Sequence, residues 1–99
     1  MKLSNKSSDN TSFHNVTFNT TVKNLIEVLG EPQWFNNTGR DKVNFTWTCE
    51  TKEGKVVTIY DWKEYRNIKA NEVVAFHLGS KNPIDSIEGK LELKDLFNN

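Results

Sequence analysis

Cysteine, proline and arginine are scarce in this 99-residue sequence, and long apolar runs are missing. The single cysteine, Cys49, cannot form an internal disulfide or a cysteine-cluster metal site, which favours a reducing compartment. No run of about 18 apolar residues occurs, so the sequence predicts no membrane-spanning helix. No apolar stretch follows Met1, and we therefore expect no signal peptide and a cytosolic location.

An excess of charge of either sign is also missing, because 13 Lys and Arg balance 13 Asp and Glu. A neutral chain has no general field that attracts duplex nucleic acid or an anionic membrane, so neither is an expected partner. The arginines are only Arg40 and Arg66. Because a guanidinium group binds phosphate in a bidentate manner, these two would be the first candidates for a local anion site.

Residue types that carry catalysis are few. The histidines are His14 and His77, and no nucleophile-elbow, P-loop or zinc-protease pattern occurs. Candidate ligands are not clustered at metal-binding spacings, so we expect no metal and no cofactor. Asp61 and His77 could form a base and its orienting partner in a phosphodiesterase-like enzyme, but a nucleophile is missing. The sequence therefore favours a binding protein over an enzyme.

A chain of this length can form one domain with one modest core. Residues 1–12 are polar and without periodicity, which predicts a flexible N-terminal tail. We expect a single α+β domain over residues 13–99. Its expected architecture is an amphipathic helix, a three-stranded antiparallel meander and a C-terminal helix.

The clearest predicted element is the amphipathic helix. Its apolar positions recur at helical spacing at Val22, Leu25, Ile26 and Leu29. Thr20 or Thr21 can cap its N-terminus, and Gly30 stands where a left-handed residue ends a helix. The polar stretch that follows predicts a loop, in which Trp34 and Phe35 are expected to cover the core.

Three segments, 43–49, 56–60 and 72–78, have the alternation or β-branched content of strands. A three-residue hairpin loop that ends at Gly54 suits a type I turn with a bulge. This register places Trp47 opposite Ile59 and so unites the apolar residues, whereas a two-residue loop would move side chains to the other face. The other face of the meander would be rich in aromatic and hydroxyl groups, at Thr46, Thr48, Thr58, Tyr60 and His77.

The last segment permits two interpretations. Asn82-Pro83 is a typical helix start, and Ile84, Ile87 and Leu91 keep helical spacing. Gly89 interrupts this pattern, and Leu91 and Leu93 also alternate as in a strand. We favour the helix.

The densest group of potential binding residues is the segment 60–66, with three aromatics, two cations and two acids. Aromatic faces can stack on a base, Lys63 and Arg66 can pair with phosphate, and Asp61 can accept hydrogen bonds from a purine or a ribose. The alternative is that Trp62 covers the edge of the core while the charges are merely solvated. The sequence leaves both open.

A second candidate is the turn at 77–82, where a glycine, Ser80 and Lys81 precede the start of a helix. Such a turn can hold an anion on backbone N–H groups, although it could equally be a simple turn. The ends of neighbouring antiparallel strands lie at opposite edges of a sheet. A homo-oligomer would therefore be needed to unite this turn with the segment 60–66.

A series of short motifs runs through about two-thirds of the chain, from Phe18 to Gly79. They are Thr21-Val22, Leu25-Ile26, Leu29-Gly30-Glu31-Pro32, Trp47, Thr58-Ile59-Tyr60-Asp61-Trp62-Lys63, Tyr65 and Phe76-His77-Leu78-Gly79. In these motifs the chain resembles a group of small phage-encoded proteins. The Tyr-Asp-Trp-Lys segment is the most specific part, whereas the Gly-Glu-Pro turn is common to many proteins.

The resemblance implies an anti-defence protein of the infected bacterial cytosol. By analogy with anti-CBASS and anti-Thoeris sponges, it implies a homo-oligomer that sequesters a cyclic dinucleotide or cyclic ADP-ribose type of signal without cleaving it. The chain departs from those sponges in its few arginines. The residues expected to bind the ligand are Tyr60, Asp61, Trp62, Lys63, Tyr65, Arg66, His77 and Ser80. The alternative is an inhibitor that binds a host defence protein through its aromatic surface.

Overall fold

The computed structural model describes residues 1–98, which form an α+β fold with six strands and two helices. The elements are β1 (Lys2–Leu3), β2 (Ser12–Thr20), α1 (Val22–Leu29), β3 (Trp34–Phe35), β4 (Phe45–Glu50), β5 (Val56–Tyr60), β6 (Val74–Ser80) and α2 (Pro83–Phe97). One open antiparallel sheet has the strand order β1-β4-β5-β6-β2, and β3 also pairs with β4. The predicted α+β class is confirmed. The predicted three-stranded meander is wrong, because β4, β5 and β6 are only the centre of a larger sheet.

The additional strands come mainly from the N-terminal part of the chain. The backbone N–H of Ser4 donates to the carbonyl of Thr48 at 2.9 Å, next to the pairing of β1 with β4. The N-terminal ammonium of Met1 lies 2.9 Å from the carboxylate of Glu92. Residues 1–12 were expected to form a flexible tail, whereas the first of them pair with the edge of the sheet. A two-residue strand is too short to produce a periodic pattern that could be recognised in the sequence.

Strand β2 forms the far edge of the sheet against β6. Its register shifts between Phe13 and Thr17, where Asn15 has a φ of 62°. An irregularity of this kind bends a strand and re-aims its side chains. Here four residue steps of β2 span only two of β6, which brings Phe13 opposite Gly79 while Thr17 lies opposite His77.

Helix α1 forms as its apolar spacing predicts. The hydroxyl of Thr21 accepts a hydrogen bond from the N–H of Asn24 at 3.0 Å, which caps the N-terminus. Gly30 ends the helix with a φ of 101°, and its N–H donates to the carbonyl of Ile26. The carbonyl of Gly30 in turn accepts from the indole N–H of Trp47 at 2.9 Å, which ties the end of α1 to β4.

The hairpin between β4 and β5 has the predicted register, with Trp47 opposite Ile59 and Cys49 opposite Val57. These four side chains are fully buried and form the centre of the core with residues of α1, α2 and β6. Both helices therefore cover the same face of the sheet.

Helix α2 confirms the helical interpretation of the C-terminal segment, with Asn82 as its cap. The large apolar residues of α2 do not face the core. The buried residues are Asp85, Ser86, Gly89 and Leu93, whereas Ile84, Ile87 and Leu91 are exposed. The reason is close packing, because a Cβ atom at Gly89 would lie 3.0 Å from both methyl groups of Val57. A Cβ atom at this position would require Val57 to shift by a few tenths of an ångström.

Trp34 and Phe35 were expected to cover the core, and this prediction is wrong. They form the short strand β3, and their side chains are 44% and 66% exposed.

No helix within residues 1–98 is both long and apolar enough to cross a membrane.

Candidate functional site

An aromatic cluster, formed by Phe13, Tyr60, Trp62 and His77, lies on the sheet face away from the helices. The rings of Phe13 and His77 stack with their centroids 4.0 Å apart and 18° between their planes. The centroid of His77 is 5.5 Å from that of Tyr60 and 6.2 Å from that of Trp62. Tyr60 and Trp62 meet edge to face at 6.1 Å. The four rings form one contiguous aromatic cluster, and aromatic rings can stack on planar ligands.

Strand register explains why these rings meet. Tyr60 lies directly opposite His77, and Trp62 follows Tyr60 by two residues. Phe13, on the edge strand β2, lies opposite Gly79, which is two residues after His77 in β6. Its ring therefore reaches over β6. The outer face predicted from the alternation of the strands is therefore present. His77 joins Tyr60 and Trp62 within a single chain, because it lies in the middle of β6 and not at its end.

The cluster remains open to a ligand through Phe13 and Trp62, which are 37% and 38% exposed. Lys63 and Lys42 place their ammonium nitrogens 5.6 Å and 5.9 Å from the centroid of the Trp62 ring. The two lysines are linked through the backbone, since the N–H of Lys63 donates to the carbonyl of Lys42 at 2.7 Å. An exposed indole with two nearby cations suits a ligand that carries both a planar ring and a negative charge.

Burial changes the ionisation of two cluster members. It lowers the pKa of His77 from its ordinary value, and the nearby carboxylate of Glu64 only partly opposes this effect. Burial also raises the pKa of Tyr60. Both side chains are thus neutral near pH 7, which suits stacking. The positive charge at the site is supplied by the lysines.

Asp61 was expected to contact a ligand, whereas the structure places its side chain in the interior. Its side chain is 1% exposed. The carboxylate accepts hydrogen bonds from the backbone N–H of Asn44, at 2.9 and 3.0 Å to its two oxygens, and from that of Phe45 at 2.8 Å. Burial raises the pKa of this carboxyl, and these hydrogen bonds oppose the rise. Asp61 holds the chain that leaves β5 against the start of β4.

Arg66 and Tyr65 are not members of the aromatic cluster. The guanidinium of Arg66 forms ion pairs with Glu64, at 2.9 Å, and with Glu72. These carboxylates raise the pKa of Arg66 and compete with any anionic ligand. Tyr65 is exposed and has a φ of 50°, while Lys63 has a φ of 55°. Two residues other than glycine in left-handed conformations lie close together in this segment, a form of strain that is concentrated at functional sites.

Ser80 was expected to contact a ligand, but the structure does not place it in the aromatic cluster. It is fully buried, and its hydroxyl lies within hydrogen-bond distance of the Asn82 carbonyl and of the Ser86 hydroxyl. Its partner in β2 is Ser12, one residue along β6 from the pair formed by Phe13 and Gly79. Ser80 therefore stabilises the start of α2.

Phe13 and Lys42 belong to the site but were not predicted from the sequence. Phe13 is brought in by long-range pairing of β2 with β6, and Lys42 by the hydrogen bond of its carbonyl to Lys63. For Phe13, the only signal in the sequence was an aromatic residue next to a polar segment. Within residues 1–98, no three His, Cys, Asp or Glu side chains are grouped to hold a metal ion.

Comparisons of this chain with protein-family models, with curated proteins and with solved structures found no match.

Proposed function

We propose that this chain binds a nucleotide-derived ligand on the aromatic cluster and holds it without cleaving it. The observation that carries the proposal is the exposed Trp62 ring. It contacts the rings of His77 and Tyr60, and two lysine ammonium groups lie within 6 Å of its centroid. A base can stack on the rings while its phosphate meets Lys42 and Lys63.

The resemblance to small phage-encoded proteins extends this proposal to a biological role. In that role the chain sequesters a cyclic dinucleotide or cyclic ADP-ribose type of immune signal in the cytosol of an infected bacterium. The expected homo-oligomer belongs to the same proposal. It is not needed to bring His77 to Tyr60, because the two residues pair within one chain.

The test is a thermal-shift and calorimetric screen with mononucleotides, dinucleotides and cyclic ADP-ribose isomers. We expect binding, and we expect mass analysis after heat release to recover the intact ligand. Loss of one stacking partner costs about 1–3 kcal/mol per base, so Trp62→Ala should weaken binding roughly 5- to 150-fold. Ile84→Ala, an exposed position on α2 at the far side of the molecule, serves as the matched control. Absence of binding across the panel would refute the proposal, and recovery of a cleaved ligand would replace it with an enzymatic function.

A second candidate function is inhibition of a host defence protein through direct contact. It is favoured by the exposure of Trp34 and Phe35 on the edge strand β3, because exposed aromatic pairs are typical anchors at interfaces. A stoichiometric partner captured from bacterial lysate and lost with Phe35→Ala would support it. Unchanged capture by that variant would contradict this surface as the anchor.

A further inference from the structure

A groove of about 510 Å³ lies beside the aromatic cluster. We define it as the Trp34 groove, lined by Trp34, Arg40, Asp41, Lys42, Val43 and Tyr65. We propose that this groove is a second subsite, which receives the second nucleobase of a ligand whose first base stacks on the aromatic cluster. The proposal rests on the proposed function and makes it narrower. It assigns to the chain a ligand of two nucleobases joined through phosphate, in preference to a single nucleotide.

The strand register places both sites on one face and in one line. Trp34 lies opposite Thr46, Thr46 opposite Tyr60, and Tyr60 opposite His77, so these four residues form a row across the sheet. Residues directly opposite each other in an antiparallel pair share a face. Trp34 and Tyr60 are two strands apart, or about 10 Å between their backbones at about 4.8 Å per strand. The small side chain of Thr46 lies between them, and a flat ligand can span the interval.

Cations are placed where the two subsites meet. Lys42 lines the groove and also has its ammonium nitrogen 5.9 Å from the Trp62 ring, so one lysine serves both sites. Arg40, the second cation of the groove, forms no ion pair within residues 1–98, in contrast to Arg66. Its guanidinium can bind phosphate in a bidentate manner. Asp41 supplies an acceptor for an exocyclic amine or a ribose hydroxyl.

Partly buried side-chain hydrogen bonds hold the loops that form the groove. The side-chain amide of Asn44 donates to the carbonyl of Arg66 at 2.6 Å, and that of Asn37 donates to the carbonyl of Ile68 at 2.9 Å. A Cβ atom at Gly39 would lie 2.5 Å from the Cα of Arg66, which shows how closely the two loops approach. A groove built in this way needs little ordering on binding, and less free energy is lost to ligand immobilisation.

The experiment compares AMP, GMP, CMP and UMP with the corresponding 5′-phosphorylated and 3′,5′-cyclic dinucleotides by calorimetry. We expect a dinucleotide to bind roughly 5- to 150-fold more tightly than its mononucleotide, as one additional stacked base requires. Trp34→Ala should remove this preference and leave mononucleotide binding unchanged, and Tyr65→Ala provides an independent variant on the other wall. Trp62→Ala should weaken both ligand classes. Ile84→Ala is the control, because this exposed residue of α2 lies on the other side of the sheet from both subsites.

The failure of this proposal differs from that of the proposed function. If mononucleotides bind as tightly as dinucleotides, or if Trp34→Ala and Tyr65→Ala weaken both classes equally, the second subsite is refuted and the aromatic cluster stands. If neither class binds, the proposed function is refuted and the second subsite with it.

Discussion

Asp61 provides the sharpest test of whether a residue in the candidate segment serves the ligand or the fold. Its carboxylate accepts hydrogen bonds from the buried backbone N–H groups of Asn44 and Phe45. Asp61→Ala leaves both donors without their acceptor. An unsatisfied buried donor costs about 1–3 kcal/mol, so the two together cost about 2–6 kcal/mol. Release of the buried carboxylate, whose desolvation raises its pKa, offsets part of this cost. We therefore expect a loss in the lower half of the range, about 2–4 kcal/mol.

A loss of this size is large for a small domain, whose free energy of unfolding is about 5–15 kcal/mol. At about 4–8 °C per kcal/mol it lowers the melting temperature by at least about 8 °C. Urea unfolding followed by tryptophan fluorescence measures the free energy directly. Asp61→Asn should lose less, because its amide oxygen can still accept from the two N–H groups. Asp9→Ala, an exposed carboxylate in the loop before β2, is the matched control and should stay within about 0.5 kcal/mol.

An Asp61→Ala variant as stable as the parent protein would refute this reasoning about Asp61. If that variant also lost ligand binding, Asp61 would return to the role first predicted for it.

Three further predictions concern the rest of the molecule. Gly39→Ala should destabilise far more than Gly54→Ala in urea unfolding, because both have positive φ but only the first would bring a Cβ against the backbone of Arg66. Burial raises the pKa of Cys49 to about 12, so native protein should react with a thiol reagent only as fast as it unfolds; rapid reaction would contradict this. The lowered pKa of His77 means that its contribution to stability is complete above its unfolded pKa of about 6.5 and is lost as the pH falls below it. Unfolding free energies from pH 7 to 5 should therefore decline more steeply for the parent than for His77→Phe, and parallel curves would exclude the effect.

Local features of the fold were accessible from the sequence. The apolar spacing, the Thr21 cap and Gly30 are sufficient to define α1, since each acts within one or two helical turns. The loop that ends at Gly54 defines the register of its hairpin in the same way. This register places Tyr60 on the outer face, from which the candidate site could be partly predicted.

Other features depended on contacts between distant parts of the chain. Asn82 and Pro83 predict where α2 begins, but its inward face is chosen by the fit of Gly89 against Val57, a residue of another element. Ser80 is buried by the same packing. Apolar spacing within one helix contains no information about such a fit.

The candidate site shows the same division. Tyr60, Trp62 and Lys63 are neighbours in the chain, so their proximity follows from the sequence alone. The addition of Phe13 and the withdrawal of Asp61 into the interior were decided by the tertiary structure. Phe13 reaches His77 only because the first part of the chain returns to pair with β6, and Asp61 turns inward because two backbone donors at the start of β4 need an acceptor. Backbone hydrogen bonds between distant segments select these positions, and a hydrogen-bond partner far away in the chain leaves no periodic signal around the residue it binds.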